Sequence, residues 1–176
     1  MQITEYRRAL HRIPELDRDL PETLAYLTKQ LSPLGCTLSS PIPGSLCAFF
    51  EFGHQEAIAF RSDADALPIQ ENTGLPFASV HPGVMHACGH DGHMAMLLDL
   101  AAWLAEQTDM PHNVLLVFQP AEETTGGARD LCESGVLERF HVREIFGMHL
   151  WPDLPAGVIA SRKNELMSRS CDGECH

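Results

Sequence analysis

The chain reads as an α/β domain, a mixed and largely parallel sheet flanked by helices. Three observations predict that class. Strand-length apolar runs at 46–52, 57–61 and 113–119 alternate with helical-period segments such as 91–107. The run at 113–119 is apolar at nearly every interior position, as expected of a strand covered on both faces. With 176 residues, 44% hydrophobic and 20% charged, the chain can bury one core, and its composition is that of a globular protein.

The elements follow in order. Residues 2–13 predict a helix, with Ile3, Tyr6, Leu10 and Ile13 at helical spacing and Pro14 ending it. A second helix starts at Pro21, carries Leu24, Leu27 and Leu31 on one face, and closes at Gly35. Short strands are expected at 36–38, 46–52 and 57–61, the last two joined by a glycine-containing turn. The longest helix, 91–107, aligns Met94, Leu97, Leu98, Ala101, Leu104 and Ala105. After the buried strand at 113–119 come a helix at 127–134 and strands at 144–150 and 157–161. In such sheets, sites gather at the carboxyl ends of strands, which singles out the loops at 62–68, 120–126 and 150 onward.

Composition removes several function classes. A net charge of −12 repels phosphate backbones, so no nucleic-acid partner is expected. No apolar stretch reaches the 18 residues or so that a membrane span needs, and no membrane partner is expected. The opening MQITEYRRALHR lacks the apolar centre of a secretory signal, which makes a cytoplasmic location the expectation. The six cysteines then need not pair.

The densest chemistry is MHACGHDGH, residues 85–93, holding His86, Cys88, His90, Asp91 and His93 around two glycines. Thiolate, imidazole and carboxylate are ligands for zinc and similar divalent ions. Cys88 and His90 are two apart, so an extended loop turns both to one side. In FQPAEETTGG, Glu122 and Glu123 follow a buried strand. Neighbours in extended backbone point apart, which suits divided labour: one carboxylate on a metal, the other moving a proton. Taken alone, such a pair is more often a solvated loop. His149 in FGMHLW, taken alone, is likewise more often a hydrogen-bonded core histidine than a ligand. Asp63 and Asp65 in FRSDADALP would bind metal, orient ligand imidazoles, or merely cap a turn. A closed structural zinc site is disfavoured, because the only other closely spaced cysteines are Cys171 and Cys175. Their C-x-x-x-C spacing also argues against a disulfide-exchange protein.

Taken in order, FRSDADALPI, MHACGHDGHMAMLL, VFQPAEE with GGAR, and IFGMHLWPDLPAG resemble the motifs of the metal-dependent amidohydrolase/aminoacylase peptidases. That group includes hippurate hydrolase, N-acetyldiaminopimelate deacetylase and the indole-acetyl-amino-acid hydrolases. The opening YRRALHRIPEL resembles the start of the family's first helices. The resemblance implies metal ligands at Cys88, His90, Glu123 and His149, and a general acid/base at Glu122. Asp63, Asp65, Asp91 and His93 are expected to support the site. The implied cofactors are two divalent ions, zinc or manganese first, with the thiolate favouring zinc and cobalt and nickel left open. The implied reaction is hydrolysis of the amide bond of an N-acyl amino acid or small peptide, with homo-oligomerisation left open.

Family members carry a lid or dimerisation domain inserted between two parts of the catalytic domain. By resemblance, residues 1–165 match the first part, and 166–176 would begin an interrupted insert. The family's last histidine ligand and the insert's substrate contacts would then be absent and turnover impaired. The alternative expectation is a non-catalytic metal-binding fragment, or one half of a complementing pair.

Overall fold

The computed structural model describes residues 3–124 and 126–161. Helix α1 (Ile3–His11) turns Tyr6, Leu10 and His11 inward, and α2 (Pro21–Leu31) begins on the proline expected to start it. A 3-10 turn at Ser32–Leu34 extends α2 to Gly35, whose φ of 76° supplies the left-handed stop. Strands β1 (Thr37–Ser39), β2 (Leu46–Phe50) and β3 (Ala57–Asp63) come next. They are followed by α3 (His90–Leu104), β4 (Asn113–Gln119), α4 (Gly127–Glu133), α5 (Val136–Arg139) and β5 (Val142–Gly147).

The five strands form one mixed sheet in the order β1-β2-β4-β3-β5. The β4–β3 and β3–β5 pairs are parallel, whereas β1–β2 and β2–β4 are antiparallel. Every residue of β4 is buried. Its alternation divides the core: Val114, Leu116 and Phe118 pack with α1, α2 and α3 residues on one face. Leu115 and Val117 pack with Leu131 and Val136 of α4 and α5 on the other. Strand β5 is an edge and is largely exposed, with Ile145 and Phe146 open to solvent.

Two expectations are corrected. No strand forms at 157–161 among the described residues; nothing pairs with this segment, and Ile159 is 95% exposed. A strand needs a partner for its amides as well as an apolar pattern. The strand expected at 144–150 ends at Gly147, so His149 lies in the loop beyond it. The expected boundary near 165, together with Cys171 and Cys175, falls outside the described residues.

Candidate metal centre

Parallel neighbours end at the same edge of a sheet, and β4, β3 and β5 are parallel neighbours. Asp63 closes β3, Glu122 and Glu123 follow β4, and His149 follows β5, so the three motifs meet at one rim. The first turn of α3 brings His90 to the same place. Gly89, at φ 87°, makes the left-handed turn between Cys88 and His90.

His90 is 1% exposed and sits at the centre. Its Nδ1–H donates to the Asp65 carbonyl oxygen at 2.8 Å. A carbonyl can only accept, so Nε2 carries the lone pair. That nitrogen is buried with no hydrogen-bond partner. It faces Glu123 Oε1 at 3.7 Å, Glu122 Oε2 at 3.8 Å and Asp63 Oδ2 at 3.9 Å. His149 is arranged alike: Nδ1 donates to the Leu150 carbonyl at 2.7 Å, leaving Nε2 3.5 Å from Cys88 Sγ. Three sets of donor atoms lie within 4.8 Å of one another: Cys88–His90–His149, Asp63–His90–His93 and His90–Glu122–Glu123. An orphaned buried nitrogen among carboxylates and a thiol is what a divalent cation would satisfy, and Nδ1 bonds to backbone carbonyls are how ligand imidazoles are usually fixed.

The electrostatics agree. Burial, followed by the charges of Glu123, Glu122 and Asp63, pushes the Cys88 thiol up to about 12. Burial and the carboxylates of Asp63 and Glu123 also raise Glu122 above the usual carboxylate range. Burial works against ionised Asp63, but His93, Arg61 and His90 outweigh it and hold its pKa down. Burial depresses His93, which favours its neutral form.

The Glu122–Glu123 loop departs from the extended form expected for it. Residues 122–124 make a turn, and both carboxylates face His90. Asp65 holds that turn, its Oδ1 accepting the Glu122 amide at 3.0 Å and its Oδ2 the Glu123 amide at 3.1 Å. Ala121 enters the turn at φ 55° and is tied by its own amide to the Asp17 carbonyl at 3.0 Å. One residue, Asp65, thus fixes His90 by its backbone and the glutamate pair by its side chain.

Asp91 supports the site from behind. It accepts from His11 Nδ1 at 2.8 Å and Arg7 Nε at 2.9 Å, anchoring the first turn of α3 to α1. His86, counted in the sequence cluster, belongs to none of the three donor sets; it is buried, and its pKa falls to about 4, chiefly through desolvation. Sequence reasoning missed Arg61, which pairs with Asp63 and donates to Gln119 Oε1 at 2.8 Å. It also missed His11 and Asp17. Arg61 precedes Asp63 by one turn of strand alternation, a signal that was readable; His11 lies 80 positions from Asp91 and gave none.

Comparison with known proteins points the same way. The chain is 39% identical to an N-acetyldiaminopimelate deacetylase of Streptococcus uberis over 98% of its own length and 47% of the relative's. It is 40% identical to a deacetylase of the same name from Lactobacillus helveticus, over 95% of this chain and 45% of that one. It spans less than half the length of these curated relatives. The crystal structure of the Bacillus subtilis YXEP protein, described as a dinuclear metal binding peptidase from the M20 family, superposes with a TM-score of 0.81 at 41% identity. That match covers 87% of this chain and 43% of the other. The sequence profile of Peptidase family M20/M25/M40 matches residues 59–165, more than half of the chain, and the chain belongs to that family.

Proposed function

We propose that this chain carries the metal-binding half of a hydrolase that cleaves the amide bond of N-acyl amino acids. The observation that carries the reading is His90 Nε2, buried and unpartnered, in a residue grouped with a thiol, two imidazoles and three carboxylates. Cys88, His90, Glu123 and His149 would hold two divalent ions, zinc or manganese first among them. Such ions supply Lewis-acid polarisation of the scissile carbonyl and an acidified water. Glu122 is the general acid/base. Its side chain is 42% exposed, open to a substrate, while its raised pKa suits it to accept a proton and return it to the departing nitrogen. Asp63, Asp65, Asp91 and His93 position these groups.

The substrate class, an N-acyl amino acid or small peptide, is supported by the deacetylase relatives. Residues 1–165 are taken as the first part of a metallo-amidohydrolase domain. The cytoplasmic setting is supported by Cys36, Cys47, Cys88 and Cys132, all free thiols in this fold. Among the described residues no helix is long and apolar enough to cross a membrane.

A second reading is favoured by the open β5 edge and the exposed Met148, Leu150 and Trp151 beside the site. On it, these residues bind metal, and turnover requires the remainder of a relative-length chain. One experiment separates the two. Hydrolysis of N-acetyl and N-benzoyl amino acids is followed with zinc or manganese, alongside metal stoichiometry, for the wild type and Glu122→Gln. Hydrolysis that falls about 10²–10⁴-fold in the variant, with metal retained, supports the first reading. Metal bound without hydrolysis supports the second. Metal binding unaffected by Cys88→Ser and His90→Ala would overturn both.

A further inference from the structure

The loop carrying His149 has little to hold it, for it follows an edge strand and is exposed on both sides of Leu150. Its attachment to the rest of the site runs through the first turn of α3. The Leu150 amide donates to His93 Nε2 at 3.0 Å. The His93 ring meets the His149 ring nearly edge-on, with centroids 4.5 Å apart. The Leu150 side chain lies over two glycines; a Cβ on Gly92 would come within 2.5 Å of Leu150 Cδ1, and one on Gly89 within 3.4 Å. Because Nε2 accepts an amide hydrogen, the ring hydrogen is on Nδ1, which faces Asp63 Oδ2 at 3.5 Å. Asp63 is in turn paired with Arg61. Nε2 of His93 is therefore taken by a hydrogen bond, and Nδ1, which makes none, carries the ring hydrogen toward Asp63, although the residue also falls within one of the three candidate donor sets.

We propose that His93 is a positioning residue, not a metal ligand: its Nε2 accepts the Leu150 amide and thereby holds His149 against Cys88. The chain Arg61–Asp63–His93 sets the tautomer that makes Nε2 an acceptor, and the glycines at 89 and 92 leave the notch in which Leu150 seats. The inference rests on the metal-site reading above and adds to it the device that completes the site from an otherwise loosely held loop.

The test is cobalt titration of the purified apo chain, with affinity and the thiolate-to-cobalt absorption as readouts, in a set of variants. His149→Ala and Cys88→Ser first establish the site. If neither changes cobalt binding, the metal-site reading itself has failed, and the fault does not lie with His93. With the site established, His93→Phe keeps the ring volume without an acceptor and should weaken cobalt binding about 10–100-fold. His93→Gln, which can place Oε1 near the position of Nε2, should restore most of that loss. His93→Phe combined with His149→Ala should bind no more weakly than His149→Ala alone, because both act through one contact. The thiolate absorption should persist in both His93 variants. Full additivity of the pair, wild-type affinity in His93→Phe, or failure of His93→Gln to bind better than His93→Phe would each overturn the proposal. If His93→Phe fails to fold, by far-ultraviolet circular dichroism, His93→Asn, too short to reach the Leu150 amide, replaces it with the same expectations.

Discussion

Replacing Asp65 by Asn tests whether a single carboxylate organises the glutamate loop. In the native site each Asp65 oxygen accepts one amide, from Glu122 at 3.0 Å and Glu123 at 3.1 Å. Hydrogen bonds to a charged group contribute about 1.5–3 kcal/mol each. Asn keeps one acceptor and turns an NH₂ toward the other amide, so one bond is lost and two donors face each other. The expected cost is about 1.5–3 kcal/mol, roughly one charge-assisted bond. The His90 contact is untouched, because it is made by the Asp65 backbone carbonyl. Urea unfolding at pH 7 therefore reads the loss of stability, and a chelator competition reads the metal site. Metal affinity should fall about 10–100-fold, the usual penalty for removing a group that orients a ligand. An Asn variant within about 0.5 kcal/mol of wild type, the spread of an uninvolved surface change, would refute the reasoning if metal affinity were also unchanged.

Three further outcomes are expected. Burial holds His86 at a pKa of about 4 against the ordinary histidine value of 6.5, so the unfolded chain binds its proton first as pH falls. Its burial is thus neutral above pH 6.5 and costs stability progressively between 6.5 and 4, up to about 3 kcal/mol. In His86→Leu, the decline of unfolding free energy over that window, measured by urea titration at several pH values, should be shallower. A Cβ at Gly127 would lie 2.0 Å from the Pro120 carbonyl oxygen, which is backbone and cannot swing aside. Gly127→Ala should cost about 1–3 kcal/mol or more through forced movement of the loop that leads into Glu122. Gly126→Ala, with no atom within 4 Å, should show only the strain of φ 75°, about 1–2 kcal/mol, in the same unfolding assay.

How far the site was legible in the sequence depends on the range of the interactions that build it. Cys88, His90 and His93 sit within six positions, and their types alone announced metal chemistry. The strand at 113–119 was read to the residue, because burial on both faces leaves a continuous apolar run. The same logic misled at 157–161, where an apolar pattern had no partner strand to satisfy its amides. The turn at Glu122 and Glu123 was hidden for a different reason. It depends on Ala121 at φ 55°, a conformation that alanine does not advertise, and on Asp65, 57 positions away.

The buried first turn of α3 shows why the hidden part follows a rule nonetheless. His90, Asp91, Gly92 and His93 are all buried, which for such polar residues is tolerable only if each meets a partner. Asp91 meets Arg7 and His11, His93 meets Leu150 and faces Asp63, and Gly92 makes room for the Leu150 side chain. His90 Nδ1 meets Asp65, and its Nε2 is left without a partner, as are Asp91 Oδ1 and His93 Nδ1 in the same turn. Of these unsatisfied atoms, His90 Nε2 belongs to the one residue common to all three donor sets. Burial without a partner marks this site only together with the ligand types around it, because His86, outside all three sets, is buried with both ring nitrogens unpartnered.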